Sequence, residues 1–318
     1  MSRPELGRFV RRLSLQWSNE NEEKNHRIIS YCPNVVIFFS SIPFIGERLV
    51  PWWRWGLPET IRCLYAKVHG IRLIEILALL ENLPHLEILQ LWGPRGESIS
   101  HAPVCLPAVR ILGIFSIDEI ELFLPVLSVM KLPRLTALAF SVGSVDACRV
   151  FPLDVWRQLK YFQPYTHFYT GFRSDYFRNL RCLHLFFDRD GIVPRLGHFP
   201  FHQLECLTLG GRTLPMSDMD EWEHLVEAVV VVPLDAKAMP ILKHFELELK
   251  VAGTYHFYRW DLRGPAARDR FIQYFESLVT RFEQRGVLVV ESVTHGPNFC
   301  HAYRLVRDIL AACRCGWS

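Results

Sequence analysis

The chain has 318 residues, of which 50% are hydrophobic, and it carries 36 lysine and arginine residues against 33 aspartate and glutamate residues. This composition is ample for a continuous core, and the small, dispersed excess of positive charge argues against nucleic acid as the main partner. No apolar run reaches the length of about 18 residues that a membrane span needs, and the arginine-rich start lacks the apolar stretch of a secretory signal. We therefore expect an intracellular protein that does not span a membrane.

One apolar pattern, L-x-x-L-x-L, recurs along the chain. By their first apolar position, its copies begin at Val10, Val35, Ile61, Leu86, Val109, Leu135, Leu180, Leu204 and Leu242. The steps between them are 25, 26, 25, 23, 26, 45, 24 and 38 residues, and most fall within the period of leucine-rich repeats, about 20–29 residues. The step of 45 predicts a further, degenerate copy at Trp156-Leu159-Tyr161.

Proline recurs at a fixed place in this pattern, two residues before the first apolar position. The prolines are Pro33, Pro84, Pro107, Pro133 and Pro240. Because proline ends helices and leads into extended structure, each copy is predicted to begin with a turn and continue as a strand. The alternative is a set of unrelated apolar strands in an ordinary α/β domain, but the shared period and the recurrent proline favour a repeat array.

Helical periodicity appears between the predicted strands. The segments are Asn21–Tyr31, Ile71–Asn82, Asp118–Met130 and Ser217–Val232, the last with Ser217 or Asp218 as its N-cap. After the last repeat, the sequence predicts a closing helix, strand and second helix over Ala266–Arg285, Gly286–Ser292 and Phe299–Cys313.

The predicted fold class is α/β, an irregular leucine-rich-repeat solenoid or horseshoe. Its concave side would be a parallel sheet, and its convex side would be helical or irregular. We expect a single domain over residues 1–318, with about nine or ten repeats in 8–250 and a helix-strand-helix cap in 264–315.

The sequence shows little sign of catalysis or of a cofactor. It lacks the phosphate-binding, zinc-protease and nucleophile-elbow motifs, so we expect no enzyme, no catalytic residues and no cofactor. Its nine cysteines are scattered, and Cys63, Cys182 and Cys206 share one repeat position, which is typical of small strand residues in a reduced compartment. Cys313 and Cys315 have no second pair, so no metal site is predicted.

The segments RPELGRFVRRLSL, SYCPNVVIFF and the repeated LPxLxxLxL resemble the leucine-rich region of F-box proteins from mushroom-forming fungi, over about Pro4 to Ser292. The resemblance implies a receptor that presents a bound protein substrate to a cullin-RING ubiquitin ligase. It implies a Skp-type adaptor as partner only if an F-box lies upstream, because none precedes Val10 in this sequence. The asparagine or cysteine that leucine-rich repeats carry after each strand is also absent, so the turns should vary.

Alternation along the predicted strands places a candidate protein-binding surface on the concave face. Its residues are Tyr65, Gln90, Trp92, Phe115, His184 and Phe186. Exposed aromatic side chains with polar neighbours are common anchors of protein interfaces, so the function expected is protein–protein interaction with an unknown protein. The alternatives are a scaffold unrelated to ubiquitin, and a degenerate paralogue with no selected partner. Loops over Trp52–Trp55 or Phe162–Phe172 could instead cover this face.

Overall fold

The computed structural model of the chain describes residues 4–16, 21–41, 56–68, 71–96, 103–119, 122–143, 151–164, 176–187, 201–212, 227, 235–237, 239–250 and 265–294. The chain forms two compact units, Met1–Gln158 and Leu159–Ser318. Each unit is built around parallel strands that pair in chain order.

The first unit begins with a 3-10 helix, Pro4–Phe9. Its described strands are β1 (Arg12–Gln16), β2 (Ile37–Ser41), β3 (Cys63–Lys67), β4 (Ile88–Trp92), β5 (Ile111–Glu119) and β6 (Ala137–Gly143). Its described helices are α1 (Glu22–Tyr31), α2 (Leu73–Leu80), α3 (Leu124–Leu127) and α4 (Leu153–Gln158). Each strand pairs in parallel with the next one along the chain.

The second unit follows the same plan. Its described strands are β7 (Tyr161–Pro164), β8 (Cys182–Phe187), β9 (Cys206–Arg212), β10 (His244–Lys250) and β11 (Leu288–Thr294), and its long helix is α5 (Pro265–Gln284). These strands are also parallel and pair in chain order. An α/β arrangement of sequential parallel strands is therefore present in both units, and no helix in the described ranges is long and apolar enough to cross a membrane.

The strands begin where the apolar pattern predicts them. Strands β1 to β6, β8, β9 and β10 each start two residues after the first apolar position of a copy. Their register aligns equivalent positions, so that Leu64 pairs with Leu89, Leu89 with Leu112 and Leu112 with Leu138. All four leucines are fully buried. The repeated pattern is thus a stack of equivalent core positions, each covered by the next copy.

A closed turn precedes each of these strands and explains the recurrent proline. The first apolar residue donates its N–H to the carbonyl oxygen three residues earlier, as in Val35 to Cys32 at 3.4 Å and Leu86 to Leu83 at 3.1 Å. Pro33 and Pro84 occupy the second position of these turns, where the fixed φ of proline is favourable. The predicted turn before each strand is confirmed at these positions.

The residue after each first apolar position binds the next copy through its backbone. The carbonyl oxygen of Glu87, for example, accepts hydrogen bonds from the N–H groups of Arg110, at 2.8 Å, and Ile111, at 3.1 Å. Arg11, Val36, Arg62, Arg110, Lys160, Arg181 and Glu205 accept the same pair of bonds. This recurring two-bond contact sets the register at the start of eight described strands, β2 to β6 and β8 to β10, and leaves these carbonyl groups satisfied.

The degenerate copy exists, but its predicted register was wrong by three residues. Tyr161 pairs with Cys182, so Leu159 occupies the first apolar position and Trp156 does not. Trp156 lies in α4 and is fully buried, with its indole N–H donating to the carbonyl oxygen of Phe151 at 3.1 Å. An apolar helix residue next to the strand mimicked the pattern. Strand β7 also includes residues 162–164, so the first three residues of the predicted loop Phe162–Phe172 belong to a strand.

The helix predictions had mixed outcomes. Helices α1 and α2 lie inside two of the predicted segments. Among its described residues, the segment Asp118–Met130 contains one short α-helix, α3, and its first two residues belong to β5, which extends as far as Glu119, paired with Gly143. Helix α5 and strand β11 occur where a helix and strand were predicted near the C-terminus. Apart from Glu227, the predicted helix Ser217–Val232 lies outside the described residues, as do Phe299–Cys313 and the loop Trp52–Trp55.

Helix α5 carries a bidentate ion pair in the second unit. Both Arg281 guanidinium NH₂ groups donate to the carboxylate of Glu227 at 2.8 Å, and the Tyr274 hydroxyl donates to it at 3.2 Å. The hydrogen bonds from Arg281 hold the pKa of Glu227 below its ordinary value of 4.5. Because the folded pKa is depressed, the pair stabilises the unit above pH 4.5, and that contribution is lost as pH falls through the lowered pKa.

We expect Glu227→Gln to lower the free energy of unfolding near neutral pH by at most about 1 kcal/mol, since both side chains are more than one third exposed and solvent screens the pair. The difference from the unaltered chain should vanish well below pH 4.5, where Glu227 is protonated in both states. Urea denaturation over a series of pH values measures this. An equal difference at every pH would contradict the assignment of the effect to the ion pair.

Candidate functional site

The strands of the first unit present one side-chain face that contains all four of its predicted binding residues. Its central row pairs Phe39 with Tyr65, Tyr65 with Gln90, and Gln90 with Gly113. The next row, two residues further along the strands, runs through Lys67, Trp92, Phe115 and Ser141. The alternation of side chains along each strand puts both rows on the same face.

Trp92 and Phe115 form a stacked pair at the end of β4 and in β5. Their ring centroids are 5.2 Å apart, their planes differ by 13°, and both side chains are partly exposed. Gly113 makes room for this arrangement, because a Cβ there would come within 3.0 Å of both Gln90 Cγ and the Phe115 ring. Two large rings thus remain side by side and partly open to solvent, which we call the Trp92–Phe115 pair.

A second stack lies on the same face, nearer the first strand. The rings of Phe39 and Tyr65 are 4.6 Å apart and nearly parallel, at 10°. The guanidinium carbon of Arg12 lies 4.8 Å from the Phe39 ring centroid, within the range of a cation–π interaction. Lys67, between this stack and the Trp92–Phe115 pair, is partly exposed, and its pKa is lowered by burial. The face therefore combines aromatic rings with two basic side chains.

The predicted residues differ sharply in exposure. Tyr65 is 6% exposed and Gln90 is fully buried, whereas Trp92 and Phe115 are partly exposed. Neither amide atom of the Gln90 side chain has a hydrogen-bond partner in the part of the chain that the structure describes. Of the four predicted residues in this unit, Trp92 and Phe115 therefore offer exposed surface to a partner, while Tyr65 and Gln90 lie beneath the surface of the same face.

The second unit holds the two other predicted residues, both on β8. His184 is partly exposed and pairs in register with Thr208 of β9. Phe186 pairs with Gly210, but its side chain lies outside the described residues. The structure thus gives the strand positions of both residues and the exposure of His184 alone.

Arg12, Phe39 and Lys67 were absent from the predicted site but belong to its face. Phe39 and Lys67 occupy the fifth and seventh positions of their copies, the same positions that selected Tyr65 and Trp92. The repeat positions alone would therefore have been enough to include Phe39 and Lys67 in the predicted site. Arg12 lies at the third position, and only the structure brings its guanidinium over the Phe39 ring.

Comparison with known proteins does not assign the chain to a family. No protein-family model matches the sequence, and no curated protein matches it. Among solved structures, the crystal structure of a protein from Bacteroides fragilis is similar, with 15% sequence identity and a TM-score of 0.40, over 93% of this chain and 68% of that one. A likeness at that level carries no argument about fold family or function.

Proposed function

We propose that the chain is a protein-binding module of the leucine-rich-repeat type, with the Trp92–Phe115 pair as the anchor of its binding surface. The observation that carries this proposal is a stacked aromatic pair that stays partly exposed on a face where Tyr65 and Gln90, in the adjacent row, are buried. The repeated turn and the repeated two-bond contact support the repeat type, because each copy places the same positions on the same face.

Energetic arguments favour a protein partner over a small ligand. Large aromatic residues with a polar rim contribute disproportionately to protein interfaces, since they bury much apolar area at low conformational cost. Rigid stacking of Trp92 on Phe115 lowers the entropy that must be lost on binding. Aromatic side chains spread over several neighbouring strands suit a broad contact, whereas small ligands bind in enclosed pockets.

The basic residues of the face define the partner's chemistry more closely. Lys67 pairs in register with Trp92, so a cation adjoins the aromatic anchor. Arg12 lies on the Phe39 ring on the same face. A segment that places an apolar side chain on the Trp92–Phe115 pair and carboxylates beside Lys67 would be complementary to this surface.

The second candidate function is that of an F-box-like substrate receptor inside the cell. It is supported by the resemblance of the repeated LPxLxxLxL segments to fungal F-box proteins. In this case the protein held by the face would be a substrate for ubiquitin transfer, and a Skp-type adaptor would bind an F-box outside this sequence. A scaffold unrelated to ubiquitin, and a degenerate paralogue without a partner, are the competing proposals.

Affinity purification of the native protein through a C-terminal tag tests both proposals. We expect a protein to co-purify in a stoichiometric amount with the unaltered chain and to be lost from the variant Trp92→Ala with Phe115→Ala. Tyr31→Ala provides the matched control, because Tyr31 is an exposed aromatic residue, at 42%, on helix α1. The control should retain the partner.

The identity of the co-purifying proteins separates the candidates. A Skp adaptor and a cullin beside the partner would make the chain a substrate receptor. A partner without them would leave a stand-alone binding module. Equal recovery from the unaltered chain and the double variant would contradict the proposed surface.

A further inference from the structure

Two cysteines meet on adjacent strands of the second unit. Cys182 of β8 and Cys206 of β9 are paired in register, and both thiols are free. Adjacent strands lie about 4.7–4.9 Å apart, within the Cα separation of about 4.4–6.8 Å that disulfides span. Residues paired in register point to the same face, so the two sulfur atoms are neighbours, and a hydrogen bond already joins the thiols.

The two thiols are not equivalent. Cys182 is buried, at 6% exposed, whereas Cys206 is partly exposed and is paired on its other side with the exposed His244. A reagent from solvent therefore meets Cys206 first. The hydrogen bond from Cys182 lowers the pKa of Cys206 and raises that of Cys182, which favours a thiolate at the accessible position.

Nearby charges add to this difference. Glu205, next to Cys206, opposes thiolate formation, but it is paired with two cations: Lys243 Nζ at 2.9 Å and Arg181 NH1 at 3.4 Å. Lys243 in turn lowers the pKa of Cys206. Burial acts in the opposite direction and raises the pKa of Cys206, but the hydrogen bond from Cys182 is the larger effect, so the pKa of Cys206 is lowered overall.

We propose that Cys182 and Cys206 form a thiol–disulfide exchange site that takes a low-molecular-weight disulfide, such as glutathione disulfide, as its oxidant. The Cys206 thiolate attacks one sulfur of that disulfide, forms a mixed disulfide and releases one small thiolate. The Cys182 thiol then loses its proton and attacks the Cys206 sulfur, which forms the Cys182–Cys206 disulfide and releases the second small thiol. Two protein thiols are oxidised and one small disulfide is reduced to two thiols; excess small thiol reverses both steps.

Cys63 provides a matched control in the same chain. Cys63 is the first residue of strand β3, as Cys206 is of β9, and it is also partly exposed. Its neighbours in register are Ile37 and Ile88, so neither is a cysteine. Burial, with a contribution from Glu87, raises the pKa of Cys63 to about 11. Because the pKa of Cys206 is lowered and that of Cys63 is raised, we expect Cys206 to be alkylated faster, by about tenfold, the lower nucleophilicity of the more acidic thiol offsetting part of the difference.

The test treats the reduced full chain with glutathione disulfide, blocks remaining thiols with a maleimide and maps the peptides by mass spectrometry. We expect a linked Cys182–Cys206 peptide in the unaltered chain. In the Cys182→Ser variant, the reaction should end at the mixed disulfide between Cys206 and glutathione. In the Cys206→Ser variant, Cys182 should remain unmodified. Cys182→Ala, which adds no buried hydroxyl, serves as a second variant if the serine variant does not fold.

Either of two results would overturn the proposal. If Cys206 in the unaltered chain gains glutathione without forming the linked peptide, Cys182 is no resolving thiol. If Cys206 reacts no faster than Cys63 and no linked peptide forms, both cysteines are inert strand residues. Both results come from the unaltered protein and do not depend on the folding of a variant.

Discussion

Replacing Trp156 with alanine is expected to lower the free energy of unfolding of the first unit by about 3–5 kcal/mol. The indole is fully buried and packs edge-on against Phe151, with ring centroids 6.0 Å apart. Phe151 in turn packs edge-on against Phe140 of β6, at 6.1 Å. Alanine would leave a cavity beside these rings and would remove the hydrogen bond from the indole N–H to the Phe151 carbonyl oxygen. Urea denaturation followed by circular dichroism measures the loss.

Two further variants complete this test: Trp156→Phe separates the contribution of packing from that of the hydrogen bond, and Phe9→Ala is a control at an exposed position. Trp156→Phe keeps most of the ring volume but lacks the N–H donor, so it should cost less than Trp156→Ala. Phe9→Ala removes an aromatic ring that is 80% exposed and should change the free energy of unfolding by no more than about 0.5 kcal/mol. A loss below about 1 kcal/mol for Trp156→Ala would show that the surroundings collapse onto the cavity or that the ring is not in the core.

Replacing Phe245 with alanine should destabilise the second unit by a similar amount, about 3–5 kcal/mol. Phe245 of β10 stacks on Phe282 of α5, with ring centroids 4.2 Å apart and planes at 13°. Both rings are fully buried. This stack therefore holds the long helix α5 against the strands, and its loss exposes apolar surface on both elements.

A double-mutant cycle tests whether the contact between the two rings itself contributes to the free energy of unfolding. Phe245→Ala, Phe282→Ala and the double variant should reveal a coupling free energy of about 0.5–1.5 kcal/mol. Leu288→Ala is the control, because Leu288 lies on the neighbouring strand β11 and is 57% exposed. Additive effects of the two phenylalanine changes would contradict direct stacking.

The strands could be predicted from the sequence because each copy obeys the same local constraint. The positions represented by Leu64, Leu89 and Leu112 must be apolar to fill the core, and the turn before each strand favours proline. The pattern repeats that signal many times, and nine of the predicted copies contain a strand that starts two residues after the first apolar position. Local pattern and global fold agree along these segments, which is typical of repeat architectures.

The predictions that failed share one physical cause: they depended on contacts that a periodic pattern does not encode. Trp156 carries the apolarity of a strand position but packs from a helix, and Phe151, five residues earlier, accepts its indole hydrogen bond. Alternation indicated that Tyr65 and Gln90 face away from the core formed by the leucines, but it does not encode side-chain neighbours such as the Phe39 ring stacked on Tyr65, and both residues are buried. The shared repeat position of Cys182 and Cys206 was visible in the sequence, but their direct pairing needed the strand order.

The measurement that tests the proposed function most directly is the dissociation constant of the co-purified partner for the unaltered chain and for the variant Trp92→Ala with Phe115→Ala. If the Trp92–Phe115 pair is the anchor, the dissociation constant should rise about 30-fold or more, equivalent to at least about 2 kcal/mol. Since both rings are partly exposed, the melting temperature should fall by only about 2–4 °C. An unchanged dissociation constant, or binding lost only together with folding, would contradict the account.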